Sequence, residues 1–268
     1  MLFRSMESSN PVLKGAFAPQ TRPIGGSNQV DLDNLEQVYN APAASSTRTG
    51  RMTIDDVVIR TGMLFAVLVA VGAFAWNANL GGGALMIGFI GGFILAMVNS
   101  FSKKVRPGAV IAYAAFQGLA LGTLSRYYEN YNPGIVSQAI LGTLAAFAGV
   151  LFMYRSGRLR ATPRFTRTLI GAAIGYFVLG LFSLIGSMFG LGNGYGLYGV
   201  TGISLLLAVA GVALASFFLV LDFDQIQRGV NAGVPNQEAW RAGFGLMVTI
   251  IWLYLEVLRL LSILRNDR

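Results

Sequence analysis

Residues 168–221 contain no Asp, Glu, Lys or Arg, and neither do residues 61–102. A soluble helix needs a polar face, and most segments in these stretches have none. One membrane crossing takes about 20 apolar residues. Each stretch is therefore read as two transmembrane helices with a turn between them. The predicted turns are Asn77–Gly83 (NANLGGG) and Gly190–Gly199 (GLGNGYGLYG). Shorter apolar runs at about 108–125, 134–154 and 243–264 complete a seven-span chain. The expected fold class is an all-α polytopic membrane protein with seven transmembrane helices.

Composition agrees. Of the 268 residues 54% are hydrophobic and 12% charged, and mean hydropathy is +0.59. A typical soluble domain carries about 25% charged residues. With no cysteine and no histidine, the chain has no disulfide, no thiolate chemistry and no imidazole as ligand, base or pH switch. A response to pH near neutrality would fall to carboxylates. The net charge of +8 is spread over several short loops without a nucleic-acid-binding motif. No nucleic-acid partner and no cofactor are expected.

Residues 1–52 are polar and lack a sustained apolar run. They are expected to form a disordered cytoplasmic tail, with the membrane domain at 53–268. Met52–Arg60 reads as a short amphipathic lead-in, capped by Thr53 with Asp55 and Asp56 in its first turn. Trp76 is expected at the outer interface. Gly88, Gly92 and Ala96 form a small-residue row, and Gly118 and Gly122 stand four apart in the third span. Such rows let helices approach closely in lipid. Gln225–Gly243 reads as a polar connection, with Pro235–Asn236 a candidate start for the last helix. The basic residues collect in alternate loops: Lys103, Lys104 and Arg106 in one, five arginines at 155–167 in another. The intervening loops hold only Arg126. By the positive-inside rule the N-terminus is expected in the cytoplasm.

Three of the twelve acidic residues lie in or at the edge of an apolar span: Asp222, Asp224 and Glu256. A carboxylate in hydrocarbon is costly unless protonated, paired or wetted, and so is a functional candidate by default. Asp222 follows an uncharged run and reads equally well as an interface residue facing water. Asp224, about 200° further round a helix, cannot share its face. Glu256 lies about 20 Å from the inner end of a helix spanning 243–264. It reads either as an i,i+3 pair with Arg259 or as a buried acid of functional weight. Asn99, Gln117, Gln138 and Thr249 read as helix–helix hydrogen-bonding groups. Nothing pairs a nucleophile with a base, so no enzyme is expected.

The string Leu221–Ile226 (LDFDQI), followed by Leu253–Glu256 (LYLE), resembles the last two helices of the Bax inhibitor-1 family. Tyr113–Ser125 (YAAFQGLALGTLS) resembles that family's third helix. Ser9–Lys14 (SNPVLK) and Met52–Thr61 resemble a bacterial, actinobacterial branch. The resemblance implies a bundle with helix seven at its centre. It also implies a pH-sensitive calcium leak of the bacterial inner membrane, gated by a carboxylate pair. By position that pair is Asp222 and Glu256, which would also be the Ca2+ ligands. A basic residue at the cytoplasmic end of helix two holds the helix-six acid in such proteins. Lys103, Lys104 and Arg106 are the candidates, with Arg259 another possible basic partner. Three features depart from the family pattern: Glu256 in place of Asp, Gln117 in place of Glu, and a longer 225–242 connection. Two buried carboxylates about 4 Å apart cannot both ionise cheaply, so such a pair would share a proton. The alternative functions are a membrane interaction protein acting on a membrane protease or stress response, and a proton-coupled small-molecule transporter.

Overall fold

The computed structural model describes residues 50–191, 197 and 202–266. The N-terminal tail and most of the 190–199 turn lie outside these residues. Seven helices follow in order among the described residues: α1 (Ile54–Asn77), α2 (Gly82–Phe101), α3 (Pro107–Tyr131), α4 (Ile135–Arg155), α5 (Pro163–Met188), α6 (Ile203–Asn231) and α7 (Glu238–Asn266). All seven are long and apolar enough to cross a membrane. The protein is an all-α polytopic membrane protein. Hydrocarbon offers a backbone no hydrogen bonds, and a helix supplies its own.

Local sequence sets where the helices begin. Thr53 caps α1 in a reciprocal box with Asp56, so two orphan N–H groups find partners. Pro107 and Pro163 occupy the first turns of α3 and α5, where a missing N–H costs nothing. The Glu129 carboxylate accepts from the Gly134 N–H at 2.6 Å and the Val136 N–H at 3.1 Å, closing the start of α4.

Two boundaries differ from the sequence reading. Met52–Arg60 is not a separate lead-in, because no breaker separates Arg60 from Thr61 and α1 runs through both. Nor is Gln225–Gly243 a long connection. Helix α6 continues to Asn231, and Gly233, at φ +63°, makes the turn before Pro235. Only residues 232–237 join α6 to α7.

Helix α7 occupies the middle. It shares one apolar core with α1 and α3 (Leu64, Tyr113, Ala114, Phe244, Met247) and another with α4 and α6 (Ala139, Ala215, Leu219, Leu253). Tyr113 meets Phe244 edge to face at 5.0 Å. Helix α2 packs chiefly on α3. The small residues enable these approaches. A Cβ on Gly88 would stand 2.8 Å from the Ala120 Cβ, and one on Gly122 would stand 2.7 Å from the Gly72 Cα. Gly118 and Gly122 therefore serve α1, whereas Gly88 and Gly92 serve the α2–α3 contact.

At the end of the bundle carrying the basic loops, the chain entering α1 is tied to the α6–α7 connection. The Met52 N–H donates to the Val234 carbonyl at 2.8 Å, and the Asn236 N–H donates to the Gly50 carbonyl at 2.8 Å. Arg51 and Pro235 form an antiparallel bridge. Arg60 donates to the backbone and side-chain oxygens of Asn236, and its guanidinium stands 5.4 Å from the Trp240 ring centroid.

Gly122→Val should destabilise the protein by about 2 kcal/mol or more, because its branched side chain would meet the backbone of α1. Gly149→Ala, with no atom within 4 Å of its Cβ, should not. Thermal unfolding in detergent, with the two variants side by side, checks the contrast.

Candidate functional site

Glu256 is buried on α7, 5% exposed. Three elements meet at its carboxylate. Trp252, one turn earlier on α7, donates its indole N–H to Oε1 at 3.0 Å. Tyr176 of α5 brings its hydroxyl to 3.0 Å from both carboxylate oxygens. Arg259, one turn later, forms the ion pair with Oε2 and also donates to the Tyr176 hydroxyl. Gly211 of α6 makes the room: a Cβ there would stand 2.6 Å from the Glu256 Cδ. The pairing with Arg259 is thus the one observed. The aromatic rings around it form a collar, with Trp252 6.3 Å from Tyr176 and 5.5 Å from Phe218 between centroids.

Asp222 lies elsewhere. It faces α7 at Thr249, whose hydroxyl is beside its carboxylate and itself donates to the Gly245 carbonyl at 3.3 Å. Asp222 Oδ2 is buried and has no hydrogen-bond partner among the described residues. The carboxylate borders a cavity of about 610 Å³ at the basic end, whose wall includes Met52, Asn99, Gln225, Glu238 and Arg241. Asp224, on the other side of α6, pairs with Arg228 one turn on. Asp222, not Asp224, is the acid turned inward.

The structure does not bring Asp222 and Glu256 together as the expected pair. Glu256 lies against Gly211, and Asp222 is eleven residues further along α6, about 16 Å at 1.5 Å per residue. The cause is their unequal distance from the turn: Asp222 stands nine residues before the end of α6 at Asn231, and Glu256 stands eighteen residues after the start of α7 at Glu238, so Asp222 is level with Thr249 and not with Glu256. Between the levels lie Ala215, Leu219 and Leu253, each fully buried. No ion pair joins Asp222 to Lys103, Lys104 or Arg106 among the described residues. The cation bordering its cavity is Arg241 of α7. Arg241 pairs with Glu238 at 3.0 Å and donates to the Ser102 and Lys103 carbonyls at 3.0 and 3.2 Å. It crosses to the α2–α3 loop and offers that loop's backbone, not its lysines, a charge.

The sequence reading missed Tyr176, Trp252 and Arg241. Trp252 carried a signal, since a donor four residues before a mid-span acid shares its helix face. Arg241 was counted among loop charges and is in fact on α7. Tyr176 had no local signal, because its partner is eighty residues away in the chain.

Among the described residues no three acids cluster as a metal cage. The arrangement is one acid at a cavity wall, a buried apolar layer, and a clamped acid beyond it. Arg259→Ala should cost about 3–5 kcal/mol, because it leaves the buried Glu256 charge uncompensated. Adding Glu256→Gln to that variant should recover most of the loss. A double-mutant cycle by denaturation in detergent measures both.

No curated protein matches the sequence. The model of the family described as "Bax inhibitor 1 like" matches residues 10–266, which include all seven helices. The chain is therefore a multi-pass membrane protein of the Bax inhibitor-1-like family.

Proposed function

We propose that this protein is a pH-sensitive cation leak, with Ca2+ as the ion, in a bacterial plasma membrane, its basic end and N-terminus facing the cytoplasm. The observation that carries this reading is the Asp222 carboxylate, at the wall of the basic-end cavity with a buried oxygen that has no hydrogen-bond partner among the described residues. A hard cation seeks such oxygens, and an ionised Asp222 would draw one in. Glu238 and Arg241 border the same cavity and set its local field.

The arrangement described above is then the shut state. A cation at Asp222 meets Ala215, Leu219 and Leu253, and dry apolar side chains are a barrier to a charge. Beyond them Glu256 is held by Arg259, Tyr176 and Trp252. The two carboxylates act in series and not as one proton-sharing pair. Protonation of Glu256 removes its attraction for Arg259 and frees α5, α6 and α7 to separate. Protonation of Asp222 removes the charge that gathers cations. Each acid so contributes its own limb to the pH response.

Ca2+ flux into proteoliposomes across a pH series tests the reading. Asp222→Asn should lower flux about tenfold or more and flatten its dependence on pH. Glu256→Gln, which cannot hold Arg259 as an ion pair, should raise flux at neutral pH. Flux and pH response unaltered in both variants would sink the proposal.

A further inference from the structure

A second cavity, of about 550 Å³, lies at the opposite end of the bundle from Asp222. Helices α1 and α4 are held apart there, with α3 and α7 behind them. Its rim residues Val69, Ala73, Ile140 and Leu144 are exposed on the outer surface of the bundle. The back wall is kept shallow by Gly118 and Gly122, which α1 needs for its own packing. Ser125 and Tyr254 bond each other at 2.6 Å, the Thr143 hydroxyl donates to the Ala139 carbonyl at 2.7 Å, and the Asn77 amide donates to the Ala73 carbonyl at 2.8 Å.

Water is a poor occupant for such a space, since it needs two to four polar partners. An empty apolar space is also unfavourable, because its lining lacks contacts on one side. The medium outside the rim is hydrocarbon. The occupant with access is therefore an acyl chain.

A separate observation says what the chain is attached to. Arg126 follows Ser125 on α3 and donates to the carbonyl of Trp76, and both neighbours line the cavity. A guanidinium has five N–H donors. The Arg126 Nε is buried and without a hydrogen-bond partner among the described residues. Arg126 lies in the last turns of α3, five residues before Tyr131, near the level expected for the phosphates of a bilayer. Arginine matches phosphate with paired, charge-assisted hydrogen bonds.

We propose that the gap between α1 and α4 is a phospholipid site, which takes one acyl chain of a lipid from the adjoining leaflet while Arg126 holds its phosphate. The site is about 550 Å³, within the range of pockets that hold small organic ligands. The proposal does not rest on the cation reading: Glu256 faces α5 and α6, and not the gap between α1 and α4.

Full-length protein, stripped of lipid in detergent, is titrated with dioleoyl phosphatidylglycerol and, separately, with dioleoylglycerol, which has the same tails and no phosphate. Native mass spectrometry counts the molecules bound. One phospholipid per chain at saturation is expected, with dioleoylglycerol about tenfold weaker or worse. Arg126→Gln should weaken phospholipid binding by about tenfold. Ala73→Phe, which fills the gap from its exposed rim, should do the same, and Ile140→Trp is a second filling change should the first unfold. Melting temperatures without lipid near that of the native protein show which variants to read. Equal binding of dioleoylglycerol, attachment of phospholipid without saturation, or unchanged binding in Arg126→Gln and the folded filling variant would each overturn the proposal.

Discussion

A carboxylate carried deep into a lipid-facing bundle must be matched there by charge and hydrogen bonds, and Glu256 imposes this demand on three helices at once. Desolvating it alone would cost more than a small membrane protein has to spare. The answer is an ion pair with Arg259, two neutral donors from Trp252 and Tyr176, and a glycine on α6 opposite. Each requirement fixes a helix. Trp252 and Arg259 must flank Glu256 on α7. Helix α5 must come near enough to offer Tyr176. Helix α6 must present Gly211 and no side chain at that level. The position of α5, which makes few other contacts in the bundle, depends strongly on this polar node.

The remaining helices obey a different rule. Lipid tails are as apolar as leucine, so helix pairing in a bilayer relies on close fit more than on burial. Gly72, Gly118 and Gly122 bring α1 against α3, and Gly88, Gly91 and Gly92 bring α2 against it. One helix therefore carries neighbours on two glycine-lined faces while its third side completes the core with α7. On its other side α1 stands off from α4, and a cavity remains between them.

Much of this was legible in the sequence, for identifiable reasons. The length of each uncharged run counts its crossings, so the seven helices and their order followed from the charged loops together with the glycine-rich turns inside the two longest runs. The small-residue rows marked close-packed faces, and Thr53 with Asp56 marked the start of α1. Depth was harder. Whether Asp222 meets Glu256 depends on how far α6 and α7 extend beyond the apolar runs, and residues such as Gln225, Arg228 and Glu238 continue a helix in water as readily as they form a loop. What decides the level is where the turn is centred, and a turn at 232–237 leaves Asp222 nine residues from it and Glu256 eighteen. The third partner, Tyr176, was invisible for another reason: its contact depends on how α5 rotates about its own axis, and the nearly uniform apolar surface of that span gives no phase.

The short antiparallel pairing of Gly50–Met52 with Val234–Asn236 closes a loop of chain around the mouth of the cavity that Asp222 borders. It makes a leash. It fastens the entry to α1 onto the α6–α7 turn by backbone, so a shift of that turn reaches the first residues of α1 directly.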